Sequence, residues 1–151
     1  VLIQRDHPLQ RLNGVGGLGS PFWVPGFPSR FEGSGAIPER FRAVIESIAF
    51  LVRANLDEMG RHLRHPTRLV VTGGLSRNRL LRHLLGRLTG VPVSFAEETE
   101  ATARGLAYLT ALCPSGWDPG RAEIIQPVFD QVEQARYVKW LELMRAAMGR
   151  Q

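Results

Sequence analysis

The chain has 151 residues, 44% of them hydrophobic and 22% charged, with a formal net charge of +5. This balance excludes a disordered chain, and the length suffices for a core of its own. No run approaches the roughly 20 consecutive apolar residues of a membrane span, and the single Cys113 forms no internal disulfide, so a soluble protein of the cytoplasm is expected.

Residues 1–37 are rich in glycine and proline and read as a loop region. Within them GVGGLG, Gly14–Gly19, matches the spacing of a dinucleotide-binding loop at Gly14, Gly16 and Gly19. That mechanism needs a helix to open at the last glycine. Pro21 and Pro25 follow instead and forbid an ordinary helix, so a compact turn packed under Phe22 and Trp23 is predicted.

From Pro38 the spacing of Phe41, Val44, Ile45, Ile48, Val52, Leu56 and Met59 predicts an amphipathic helix to about His62. Pro38 suits its first turn, where the missing N–H costs nothing. Leu69–Thr72 (LVVT) is a short strand stopped by Gly73 and Gly74. Leucines 80, 81, 84, 85 and 88 mark one face of a helix over residues 78–89, closed by Gly90. Val91–Phe95 reads as a second strand, with Pro92 at its start or on an edge. Thr99 or Glu98 would cap the next helix, which runs to about Cys113. After Pro114–Gly120 a last helix is predicted at about Val128–Met148, its Tyr137, Trp140, Leu141 and Met144 forming an apolar stripe for the core or an interdomain surface. The order of elements indicates an α/β fold with the two strands in one sheet.

Of the 19 basic residues only Lys139 is not arginine. The excess falls between Arg61 and Arg87, where Arg61, Arg64, Arg68, Arg77, Arg79, Arg82 and Arg87 have no carboxylate beside them in sequence. No aromatic residue alternates with these arginines as base stacking would require, so nucleic acid is not the expected partner. His62, His65 and His83 lack Cys or carboxylate companions at metal-ligand spacing and read as surface residues. Cys113 has no neighbouring base and reads as a buried thiol at a helix end. Glu97, Glu98 and Glu100 suit the approach to a helix N-terminus better than acid–base chemistry.

Leu69–Asn78, LVVTGGLSRN, carries the most chemical information. A buried strand ends in two glycines and a helix opens almost at once. Glycine lets a ligand approach the backbone, the helix start offers unpaired N–H groups, and the Asn78 amide both donates and accepts. These features suit the sugar or base edge of a nucleotide, and equally a strand ended for steric reasons.

Four blocks then resemble one family, the FGGY carbohydrate kinases, and most closely its glycerol-kinase members. Gly17–Trp23 (GLGSPFW) is similar to the family's Gly-rich loop ending in Pro-aromatic-Trp. Arg42–Met59 is similar to the helix that follows it, Thr72–Asn78 (TGGLSRN) to the adenosine-contacting turn, and Glu100–Leu109 (EATARGLAYL) to its Glu-x-Thr-Ala-x-Gly-x-Ala helix start. Ser115–Trp117 and Val138–Trp140 fall where the family's C-terminus has similar residues.

The resemblance implies an actin-like ATPase, ribonuclease H-like domain: a mixed sheet with flanking helices. Residues 1–151 would be the C-terminal portion of the second kinase domain, with a loop region over 1–37, a helix-strand-helix-strand-helix core over 38–113 and a C-terminal helix within 121–151. The absence of an initiator Met fits a cut through a larger kinase. Implied nucleotide-binding residues are Gly74 and Asn78, with Gly73 and Ser76 shaping the same turn. Glu100, Thr102 and Gly105 would cap and pack a helix beside the cleft. The family's catalytic Asp and phosphate loop have no counterpart here, so this chain would hold no catalytic residue and no metal ligand, and alone would be inactive. ATP or ADP with Mg²⁺, a sugar or polyol bound through other parts of the enzyme, and compatibility with a homo-oligomer follow. Thr72, Val24, Arg104 and the short Phe31–Pro38 stretch depart from the family pattern. They put glycerol in question as the substrate and leave a non-catalytic binding or assembly module as the alternative.

Overall fold

The computed structural model describes residues 7–14, 17–97, 100–117 and 120–149. Two short strands come first, β1 (Gln10–Leu12) and β2 (Arg30–Glu32), paired antiparallel with Arg11 opposite Phe31. Both were read from sequence as loop. Three residues are too few for an alternating pattern to show. Between them the chain folds on itself through a bridge between Leu18 and Val24 and a turn at Gly19, whose carbonyl accepts from Phe22 N at 3.0 Å. No helix opens there, which removes the dinucleotide-loop reading; Gly16 lies outside the described residues. Phe22 packs towards Trp140, ring centroids 6.3 Å apart, whereas Trp23 is 74% exposed, so only Phe22 covers the turn. A Cβ at Gly14 would lie 2.1 Å from the Phe27 carbonyl oxygen, so that crossing admits glycine alone.

Helix α1 (Ile37–Met59) starts at Ala36, whose N–H donates to the Glu39 carboxylate at 2.6 Å. Its buried face is Ala43, Ile45, Ala49, Phe50 and Ala54, together with Arg42, Glu46 and Ser47. Phe41 and Met59, expected on the core side, are exposed. The correction is a rotation of the helix, and its cause is polar: Arg42 and Glu46 turn inward to meet α4 (Gln131–Met148). There Arg42 binds Glu46 and Glu133, each at 2.6 Å. Arg136 binds Glu46 through Nη2 at 2.5 Å and Nε at 3.1 Å, and donates to the backbone carbonyls of Leu9, at 3.0 Å, and His7. Trp140 Nε1 donates to the Arg11 carbonyl at 2.9 Å. The first strand is thus held to α4 by side chains on consecutive turns of one helix face.

The second sheet has the order β3 (Leu69–Val71), β4 (Val93–Ala96), β5 (Ala122–Ile125). β3 and β4 are parallel, with Val70 opposite Ser94; β4 and β5 are antiparallel, with Phe95 opposite Glu123. The sheet is mixed, as expected, but β5 had been missed. Three of its four residues are exposed, so burial imposes little pattern on them. Pro92 precedes β4, and its carbonyl accepts from Leu69 N at 2.9 Å.

Helix α2 (Arg79–Leu88) buries Leu81, Leu84, Leu85 and Leu88 against Val93 and Phe95 of β4 and against α1. Phe50, Tyr137 and Trp140 close the core beside it, with Phe50 and Trp140 centroids 5.6 Å apart. Both ends of α2 are held. Asn78 caps the first turn; at the last, the Leu88 carbonyl accepts from Arg53 and the Arg87 carbonyl from Gln134 at 2.9 Å. α4 begins at Asp130, which accepts from Val132 N and Glu133 N, rather than at Val128.

Helix α3 (Ala101–Thr110) buries no residue. Gly105 is exposed and an added Cβ would touch nothing, so the close packing expected of it is not formed. Glu100 is the N-cap but makes no side-chain cap; Glu98 and Thr99 lie outside the described residues. The helix ends before Cys113, which is exposed rather than buried, following two left-handed residues, Leu112 (φ 59°) and Cys113 itself (φ 55°). The free edge of β3 is similarly open: Val70 is 55% exposed beside an apolar groove shared with Ile48 and Val52 of α1.

Candidate nucleotide-binding turn

β3 delivers the chain into Thr72 and Gly73 at the end of the parallel pair, where open α/β sheets place their ligand sites. Gly73 has φ 86° and ψ 176°, a combination open in practice only to glycine. A 3₁₀ turn follows over Gly74–Arg77, closed by Ser76 N to the Gly73 carbonyl and Asn78 N to the Leu75 carbonyl, each at 3.0 Å. Asn78 then stands at the N-cap of α2, one position before its first turn, with Oδ1 accepting from Leu81 N at 3.0 Å. That bond fixes which way the amide faces and leaves Nδ2 as a donor with no partner among the described residues.

Four predicted residues therefore share one bend, but in two orientations. Gly74 is exposed, and a Cβ built there meets nothing within 4 Å, so packing does not demand glycine at that position. The space above it is open to a ligand. Asn78 is half-buried beside it. Ser76 faces inward and is fully buried, its hydroxyl without a hydrogen-bond partner. Gly73, Gly74 and Asn78 form the surface; Ser76 belongs to its foundation. Glu100 is the N-cap of α3, and Thr102 and Gly105 are exposed on it.

The turn carries a basic residue whose role sequence reasoning missed. Arg82 donates to the Ser76 carbonyl and pairs with Glu123 of β5. The supposed unbalanced run of arginines also acquires carboxylates elsewhere. Arg61 pairs with Glu58 at 2.8 Å, and Arg87 approaches Asp130 at 3.5 Å and Glu133 at 3.8 Å. Glu58 is a local i, i+3 partner just before the basic segment, whereas Asp130 and Glu133 are brought to Arg87 only by the fold.

The other polar concentration is the Arg42–Glu46–Glu133–Arg136 cluster. The bonds of Arg136 to Glu46, His7 and Leu9 occupy Nε and both terminal nitrogens of its guanidinium, and the cluster is buried. It suits clamping better than ligand exchange. His7 lies against it, 4% exposed, with neither ring nitrogen hydrogen-bonded. Burial first, then the positive charges of Arg136 and Arg42, push its pKa from 6.5 to about 4, against opposing pulls from Glu39 and Glu133. Among the described residues no three His, Cys, Asp or Glu side chains come together as a metal site, and His62, His65 and His83 are exposed. Among the same residues no helix is long and apolar enough to cross a membrane.

The family model for the C-terminal domain of the FGGY carbohydrate kinases matches residues 6–113. Glycerol kinase from Gloeobacter violaceus is 35% identical over 142 residues, covering 83% of this chain and 28% of that protein. Glycerol kinase from Natranaerobius thermophilus is 31% identical over 146 residues, covering 88% of this chain and 29% of that protein. The chain thus spans less than a third of the length of these relatives. Among solved structures, a Brucella ovis xylulose-type kinase superposes with a TM-score of 0.76 at 22% identity, over 99% of this chain and 34% of that one. Plasmodium falciparum glycerol kinase, solved with ADP, superposes at 0.73 and 17% identity over 92% and 30%. These likenesses carry the actin-like ATPase fold. With nearly three quarters of its residues inside the matched domain and its turn at the end of the parallel strand pair, the chain belongs to the FGGY family of carbohydrate kinases.

Proposed function

We propose that this chain supplies the nucleotide side of the cleft in an ATP-dependent carbohydrate or polyol kinase, glycerol kinase-like or pentulose kinase-like. Its residues 1–151 are the C-terminal portion of the second kinase domain. The observation that carries the reading is the pairing of Asn78 with Gly74. Capping consumes Asn78 Oδ1 and leaves Nδ2 as a fixed donor beside an open glycine backbone. A fixed donor over bare backbone suits the adenosine of ATP or ADP, and the fold neighbour solved with ADP supports it.

ATP, when bound, supplies the phosphoryl group transferred to a substrate hydroxyl. This chain's own residues bind and orient: Gly73 bends the chain, Gly74 admits the nucleotide to the backbone, Ser76 seats the turn and Asn78 donates. Phosphoryl transfer depends on positioning and charge neutralisation from several parts at once. The catalytic base, the Mg²⁺ ligands and the residues that choose the sugar or polyol are assigned to other parts of the enzyme.

Replacing Asn78 tests the reading. Asn78→Asp retains an acceptor for Leu81 N, so the cap and the thermal stability are preserved. It removes the donor, so affinity for ADP should fall about tenfold, the worth of one hydrogen bond of roughly 1.4 kcal/mol. Asn78→Ala should lose both. Calorimetric ADP titration of the intact protein is the measurement, and unchanged affinity in both variants rejects the assignment.

A further inference from the structure

Arg82 touches three separate parts of the molecule. Its Nε donates to the Ser76 carbonyl in the turn, and Nη1 pairs with Glu123 on β5. Its guanidinium carbon lies 5.0 Å from the ring centroid of Phe95 on β4. A planar guanidinium can do this because its donors radiate in the plane while its face stays free to stack. An ammonium has no such face.

The two backbone bonds of the turn, Ser76 N to Gly73 and Asn78 N to Leu75, are internal. They set the shape of the bend but do not tie it to the sheet. Ser76 Oγ makes no hydrogen bond, so that side chain adds no polar tie either. Arg82 supplies one, between the middle of the turn and two neighbouring strands. Glu123 neutralises its charge, so any effect on a nucleotide runs through the turn rather than through attraction to phosphate.

We infer that Arg82 is a positioning residue: by holding the Ser76 carbonyl against Phe95 and Glu123, it sets where Gly74 and Asn78 face the nucleotide. The inference rests on the nucleotide reading of the turn. It concerns a residue of α2 that lies four positions beyond Asn78.

The test is ADP binding to the intact protein, by calorimetry, for Arg82→Met, Arg82→Lys and Glu123→Gln, with Asn78→Asp in parallel. Arg82→Met keeps packing over Phe95 but loses both polar ties, and ADP affinity should fall about five- to tenfold, within the range of one lost charge-assisted hydrogen bond. Arg82→Lys can reach one acceptor at a time and should recover part of the loss. A residue serving stability alone would show the Lys rescue in the melting temperature and not in ADP affinity. Glu123→Gln keeps a neutral acceptor and should weaken binding by about two- to threefold. The amide resonances of Gly73 and Gly74 should move in Arg82→Met without ADP present. A folded Arg82→Met protein with wild-type ADP affinity overturns the inference; if that variant does not fold, wild-type affinity in both Arg82→Lys and Glu123→Gln overturns it instead. Should Asn78→Asp lose affinity while the Arg82 series does not, the inference fails and the nucleotide site stands. Should the wild-type protein bind no ADP, both fall.

Discussion

The clamp between α1 and α4 and the turn after β3 are both polar, and they are built on opposite terms. In the clamp, Arg42, Glu46, Glu133 and Arg136 are out of water and spend their charge on one another and on backbone carbonyls. In the turn, Gly74 has open space above it and Asn78 Nδ2 has no partner among the described residues. One region pairs its charges internally and holds the fold. The other keeps a donor with no partner among the described residues, which is what the proposed nucleotide site requires. Polar residues in a core are therefore not by themselves a sign of function. The sign is a polar group whose orientation is fixed by one bond while another is left over.

Three perturbations should separate the two regions. The largest effect belongs to the clamp. Glu46→Ala strands the guanidinium groups of Arg42 and Arg136, and breaking a buried pair from one side costs about 3–5 kcal/mol. Denaturant melts should show a loss of that order, and a change below about 1 kcal/mol would mean that water or rearrangement compensates the cluster.

The paired glycines come next. Gly73→Ala forces a side chain into a conformation that costs about 1–3 kcal/mol, whereas Gly74→Ala should leave stability within about 0.5 kcal/mol because nothing lies near its Cβ. ADP affinity should reverse the emphasis, with Gly74→Ala weakening binding in a protein that melts normally. Equal melting temperatures for both variants would remove the distinction between bend and platform.

The contribution of His7 is visible only as a function of pH. Its folded pKa of about 4 lies below the unfolded value of 6.5. As pH falls from 6.5 towards 4, the unfolded chain takes up a proton that the native ring refuses, so stability declines across that window. Below pH 4 the contribution is constant. His7→Gln should flatten this part of the profile, so its melting temperature relative to wild type rises between pH 7.5 and pH 5. Parallel profiles would contradict the buried, neutral state.

What was legible from sequence follows the same division. The turn could be read because its requirements are written in residue types: two glycines after a strand, then an Asn at a helix start. The leucine face of α2 and the Tyr137–Trp140–Met144 stripe were legible because burial there is apolar and periodic. The face of α1 was misread because hydropathy ranks Phe41 above Arg42, and the reason to bury Arg42 sits 91 residues away at Glu133. The i, i+4 spacing of Arg42 and Glu46 was the one local hint. Arg82 was counted as surplus charge for the same reason: its carboxylate, Glu123, is 41 positions distant. The short β1, β2 and β5 left no periodic signature, and nothing local announces the exposure of α3.

The fastening of α2 at both ends has a mechanical meaning. Ten residues make a rod about 15 Å long, anchored at one end in the turn through Asn78 and at the other to α1 and α4 through the Leu88 and Arg87 carbonyls. A rod held this way cannot fray at its Asn78 end without pulling on its far end. Its first-turn amides should therefore exchange with solvent on the timescale of the helix interior, which is unusual for the opening turn of a surface-bounded helix. The turn and the α1–α4 pair are thereby joined through one helix, so a disturbance at either end should be felt at the other.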